Sequence, residues 1–176
     1  MHIWLFGYGS LIWRPEIDFI DRRPALLHGW VRRFWQGSHD HRGLPDNPGR
    51  VVTLVAEDGH CDGMAYLVDK EFAEATFDAL DYREKNGYQR IEAEIQFTNR
   101  DTAASLVYIA PLGNRAFLGP ASLEEMAAQI QRCEGPSGRN DDYLFDLADA
   151  LRALDAEDDH VFELESAVKA ATFGET

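Results

Sequence analysis

Cysteine is nearly absent from these 176 residues: only Cys61 and Cys133 occur, far apart and neither in a paired ligand spacing. A disulfide framework and a knuckle-type metal site are thereby excluded, and the two read as reduced thiols in a cytoplasmic protein. Long apolar runs are missing as well, and no stretch approaches the roughly 20 residues needed to cross a bilayer. The opening MHIWLFGYGS carries no basic leader and no small-residue cleavage site, so a strand is expected there rather than a signal peptide. Positive charge is scarce, with 17 Lys and Arg against 31 Asp and Glu and a formal net charge of −14. That balance argues against nucleic acid or an anionic membrane as partner, although a local group of arginines and backbone N–H can still receive a small anion. Basic residues are concentrated early, at Arg14, Arg22, Arg23, Arg32, Arg33, Arg42 and Arg50, whereas the last third is acidic.

The chain is long enough for one apolar core, and a single domain spanning 1–176 is expected. His2 to Phe6 alternates and reads as a strand. Ala25 to Ser38 is a second β-like run, and His39 to Arg50 is a loop dense in Gly, Pro, Asn and Asp. VVTLVA and GMAYLVD flank EDGHCD, which predicts a hairpin turning near Asp58 and Gly59. Asp69 can cap a helix with Phe72, Thr76, Phe77 and Leu80 on its apolar face. REKNGYQ breaks that helix, and IEAEIQF and AASLVYIA follow as strands. Ser122 and Glu125 form a capping-box pattern ahead of Met126, Ile130 and Cys133. GPSGRN is a break, after which Asn140 can cap a helix carrying Leu144, Leu147, Ala148, Leu151 and Leu154. Asp158 starts a last helix with Val161, Leu164 and Val168 inward. Strands first and helices afterwards give an α+β class rather than a βαβ series.

Several patterns bear on chemistry. Gly7-Tyr8-Gly9-Ser10 interrupts the first apolar run, as a plain turn or as a nest of backbone N–H for an anion. It lacks the Gly-Lys-Ser/Thr of a phosphate loop and the third glycine of a dinucleotide fingerprint. Ser10 is not flanked as a nucleophile elbow requires, so a hydrogen-bonding serine is expected. His39, Asp40, His41 and Asp46 lie close together but without a second ligand pair, and no metal is expected. Glu84 falls where a helix yields to a turn, between Tyr82 and Tyr88. It is either a solvated surface carboxylate or an acid–base group whose pKa aromatic neighbours raise by desolvation. Tyr143 borders the apolar stripe of its helix, as a packing residue or as a phenol offered to a pocket.

Four segments in order, FGYGSLIW, DHRGLPDNPGRVVTL, LDYREKNGY and GPSGRNDDYLFDLADAL, resemble the ChaC-type γ-glutamylcyclotransferases from Trp4 to about Glu165. The resemblance implies a small mixed β-barrel with helices packed around it. It implies that Gly7, Tyr8, Gly9, Ser10, Leu11 and Ile12 hold the γ-glutamyl end of the substrate. Glu84 matches the catalytic glutamate, and Tyr143 is assigned to the substrate pocket. The implied reaction converts glutathione to 5-oxoproline and cysteinylglycine by intramolecular aminolysis, with no cofactor; a monomer is expected. Alternatives are a cyclotransferase for other γ-glutamyl amino acids or γ-glutamyl-amines, and a non-catalytic regulatory binding protein.

Overall fold

Alternation along the strands sorts side chains onto two cores. In β1 (His2–Gly7) Leu5 and Phe6 are both buried, but Phe6 enters the main core and Leu5 a second, smaller one. β5 (Thr102–Ile109), parallel to β1, repeats the division: Val107 and Ile109 join Phe6, while Tyr108 joins Leu5. The structure is a computed structural model that describes residues 2–83 and 87–173. Five strands close a barrel in the order β1-β3-β2-β4-β5, with β2 at Asp21–Ser38, β3 at Gly49–Asp69 and β4 at Gln89–Phe97. The β1–β5 pair is parallel and its neighbours are antiparallel, so the barrel is mixed as expected.

Its largest component is a ribbon of β2 (Asp21–Ser38) and β3 (Gly49–Asp69), paired from Asp21↔Leu67 to Ser38↔Gly49. The expected hairpin at Asp58 and Gly59 does not form, because β3 runs through it unbroken. The connection of the ribbon is instead the loop over 39–48. The Asp-Gly pair serves a bulge: the register passes from His28↔His60 to Trp30↔Ala56, so Glu57, Asp58 and Gly59 face Gly29 alone. Both glycines have positive φ, +79° at Gly29 and +152° at Gly59, which a side chain would resist. Such a bulge coils a long ribbon so that it can wrap a barrel.

The second core lies under α1 (Lys70–Arg83), whose Ala73, Phe77 and Leu80 cover Leu5, Leu11, Val68 and Tyr108. Asp69 caps this helix as expected, its Oδ1 accepting from the Glu71 N–H at 3.0 Å. Phe72 departs from the expected apolar face and is 63% exposed, one position ahead of the inward Ala73. On the other side α2 (Leu123–Arg132), α3 (Asn140–Ala153) and α4 (Asp159–Phe173) extend the main core with Ile130, Leu144, Leu147, Leu151, Val161, Leu164 and Val168. α2 opens with the full Ser122/Glu125 capping box. Asp158 caps α4, accepting from the Val161 N–H at 3.1 Å.

The GPSGRN break contains a two-stranded ribbon, β6 (Glu134–Gly135) with β7 (Gly138–Arg139). Asn140 is not the cap of α3. That place is Arg139, and Asn140 is the first residue of the helix. Its fully buried carboxamide reaches across to β3 instead. Oδ1 accepts from the Arg50 N–H at 2.7 Å, and Nδ2 donates to the Arg50 carbonyl at 2.8 Å. A side-chain amide thus completes the hydrogen bonding of a strand, an option that asparagine has and a cap does not need.

Candidate active site

The chain leaves β1 at Gly7 and tightens into a 3₁₀ turn over Ser10–Ile12, closed by Ile12 N–H to the Gly9 carbonyl at 2.9 Å. Buried donors fix this loop from beneath. Arg32, 2% exposed, donates from Nε to the Tyr8 carbonyl at 2.8 Å. The same guanidinium pairs with Asp158 at 2.5 Å and donates to the Asp62 carbonyl. The Tyr66 hydroxyl donates to the Leu11 carbonyl at 2.5 Å, and the Tyr8 hydroxyl to the Tyr108 carbonyl at 2.5 Å. A loop so held is preorganised before any ligand arrives.

The two glycines are there for different reasons. A Cβ on Gly7 would lie 2.6 Å from the Cβ of Leu11, so this position is set by the fold. A Cβ on Gly9 would lie 3.0 Å from both the Tyr143 hydroxyl and Val52 Cγ2, so this one keeps a phenol close to the backbone.

Above the loop is a small hollow of about 50 Å³, lined among others by Gly7, Tyr8, Gly9, Ser10, Leu11 and Val52. It adjoins a cleft of about 240 Å³ lined among others by Trp13, Arg14, His41, Arg42 and Ser137. Ser10, Tyr88 and Tyr143 line both. Ile12 lines neither: its side chain is buried in the main core, and the next residue, Trp13, reaches the cleft instead. Tyr143 projects from α3, edge-on to the rings of Trp13 and Phe34, with its hydroxyl 3.5 Å from the Val52 N–H. Tyr88 donates from its hydroxyl to the Val52 carbonyl at 2.7 Å. Two phenols therefore converge on the backbone of one β3 residue, over the glycine loop.

Glu84 lies outside the described residues. The chain on either side of it is firmly attached. Asp81, in the last turn of α1, accepts from the Tyr108 hydroxyl at 2.6 Å and pairs with Arg90 of β4 at 3.2 Å. Beyond it, Gly87 has φ +91° and leads directly into Tyr88.

The opposite wall of the cleft belongs to the loop between β2 and β3. Arg42 is only 9% exposed; its backbone N–H donates to Ser38 Oγ at 2.9 Å, and its Nη1 donates to the Arg139 carbonyl at 3.1 Å. The guanidinium lies over the Tyr143 ring, 5.7 Å from its centroid. Neither thiol is a nucleophile for this site. Cys61 is 2% exposed, and burial pushes its thiol up to about 11. Burial likewise raises Cys133.

Sequence reasoning brought Gly7 to Leu11 and Tyr143 to one place, but it missed Arg42, Trp13 and Val52, and treated Tyr88 only as a neighbour of Glu84. Arg42 stood inside HDHRG, where the histidines and aspartate drew attention to metal. The stretch's one permanent cation lines the cleft.

A family model described as ChaC-like protein matches residues 3–171. Glutathione-specific gamma-glutamylcyclotransferase 1 of Danio rerio is 41% identical over 175 residues, covering 96% of this chain and 89% of that protein. Gamma-glutamylcyclotransferase 2-3 of Arabidopsis thaliana is 45% identical over 181 residues, with 96% and 89% covered. Among solved structures, that of a yeast γ-glutamyl cyclotransferase specific to glutathione superposes with a TM-score of 0.91 at 31% identity, covering 96% of each chain.

Proposed function

The chain belongs to the ChaC-like family, and on that premise we propose that it is a glutathione-specific γ-glutamylcyclotransferase, a lyase releasing 5-oxoproline and cysteinylglycine. The α-amine of the γ-glutamyl unit attacks its own γ-carbonyl carbon, the new C–N bond closes a five-membered ring, and the bond to the cysteinyl nitrogen breaks. One proton leaves the attacking amine and one joins the departing nitrogen, so a single carboxylate can carry both; that role is assigned to Glu84. Nucleophile and electrophile share one molecule, so the protein's main task is to fold the γ-glutamyl chain into an attack-ready ring. The N–H groups of the loop at Gly7 to Leu11, with the Ser10 hydroxyl, are assigned to the substrate's α-carboxylate, and the Tyr143 phenol to the reacting end. The observation that carries this reading is the convergence of Gly9, Tyr88 and Tyr143 on one preorganised hollow. It opens onto a cleft with room for the rest of a short peptide.

The proposal extends to a monomer acting in the cytoplasm, with no nucleic-acid partner. Among the described residues no helix is long and apolar enough to cross a membrane.

Glu84→Gln tests the central assignment. The side chain keeps its size and hydrogen bonding but cannot exchange a proton. Release of 5-oxoproline from glutathione should fall by about 10²–10⁴-fold, while the thermal midpoint and glutathione affinity stay near the parent's. A folded variant working near the parent rate would remove Glu84 as the proton carrier.

A further inference from the structure

The cleft contains several charges, and most are already matched. Arg14 donates from Nε to Glu16 at 2.8 Å, and His41 lies 3.7 Å from Asp40. Arg42 has no carboxylate within 4 Å among the described residues; Asp146 on α3 feels its charge from farther away. A guanidinium so deeply buried without an ionic partner is costly unless an anion joins it in the working complex. The group is also held in place. Arg139 fixes Nη1, the Tyr143 ring supports its face, and Gly138 leaves it space, since a Cβ there would lie 3.2 Å from Nη1. Gly138 has φ +111°, a conformation that a side chain would resist in any case.

Position then suggests the ligand. Arg42 lines the larger cleft and not the hollow above the glycine loop, whereas Ser10, Tyr88 and Tyr143 line both. This inference rests on the cyclotransferase reading: with the γ-glutamyl head over the loop, the leaving dipeptide extends along the cleft. Its one charge at the far end is the glycine carboxylate. We propose that Arg42 is the specificity-determining residue of this enzyme, binding the C-terminal carboxylate of glutathione and so selecting the tripeptide over other γ-glutamyl compounds. The planar fork of a guanidinium suits a carboxylate bidentately, which a lysine in its place would not reproduce.

The experiment compares kcat/KM, read as 5-oxoproline release, for glutathione and for its C-terminal amide, which differs only in lacking the terminal charge. The parent should prefer glutathione by about 10- to 100-fold, as expected for one hydrogen-bonded charge contact. In Arg42→Gln the preference should shrink to within about twofold. Arg42→Lys should keep a reduced preference, and this variant decides the matter if Arg42→Gln does not fold. Equal use of both compounds by the parent, an undiminished preference in Arg42→Gln, or a lysine variant favouring the amide would each overturn the role of Arg42. In those cases the cyclotransferase assignment would stand. Release of 5-oxoproline from neither compound by the parent would overturn the assignment and the role of Arg42 together.

Discussion

At the scale of single residues, Gly7 and Gly9 separate fold from site within three positions. Gly7→Ala brings a Cβ to 2.6 Å from Leu11 Cβ, a contact between two core atoms with little freedom to move. Overpacking of this kind typically costs about 1–3 kcal/mol, so the thermal midpoint should fall by several degrees. Gly9→Ala meets the Tyr143 hydroxyl and Val52 Cγ2 at 3.0 Å, where a shift of a few tenths of an ångström relieves the contact at the expense of the phenol's position. Its kcat/KM should drop by about tenfold or more with little change in melting. Adding Tyr143→Phe to Gly9→Ala should then cost much less activity than Tyr143→Phe costs alone. Melting curves and turnover on the four proteins decide it, and additive losses would show that Gly9 does not act through Tyr143. What could be read in advance at this scale was residue type, not reason. The glycines, Ser10 and Tyr143 were legible as a group, but the close approaches that demand glycine come from Leu11, Val52 and α3 and appear only on folding. Arg42 was illegible for a related cause: an arginine in a Gly- and Pro-rich loop has no periodicity to mark it as buried.

Helices were the most readable elements, because period and capping are local. The capping box at Ser122 and Glu125 and the inward stripes of α3 and α4 follow directly from spacing. The β2–β3 ribbon was not readable. Asp58-Gly59 serves a bulge as well as a turn, and only cross-strand pairing, a non-local contact, chooses between them. Asn140 posed the same ambiguity at a helix start, and its energetics distinguish the outcomes. Loss of a cap costs about 1 kcal/mol. Loss of the clasp leaves both the N–H and the carbonyl of buried Arg50 without the carboxamide that satisfies them, at about 1–3 kcal/mol for each group. Asn140→Ala should therefore lower the free energy of urea unfolding by about 2–6 kcal/mol. A loss near 1 kcal/mol would return Asn140 to the role of a cap.

Over the whole molecule, acid sensitivity should include a contribution from one buried ring. His160 in α4 accepts the Phe34 N–H on Nε2 at 3.0 Å. Burial, and then the nearby Arg33, pushes its pKa down from 6.5 to about 4. Above pH 6.5 the ring is neutral folded or unfolded and contributes no pH dependence. Between pH 6.5 and 4 the unfolded chain takes up a proton that the folded protein refuses, so stability falls as pH falls, by about 3 kcal/mol in all. His160→Gln retains an acceptor for Phe34 and does not titrate. Its unfolding free energy should decline less steeply than the parent's across that window, and parallel curves would exclude His160 as a source of the acid sensitivity.

The clamp on the Tyr8 carbonyl has a temporal side. Arg32 holds that carbonyl, and its ionic partner Asp158 comes 126 positions later, at the cap of α4. During synthesis the loop emerges well before this anchor, so a ribosome-bound chain can carry every loop residue while the guanidinium beneath them still lacks its counter-ion. The loop assigned to the substrate's α-carboxylate therefore sits over a complete ion pair only once α4 has been made.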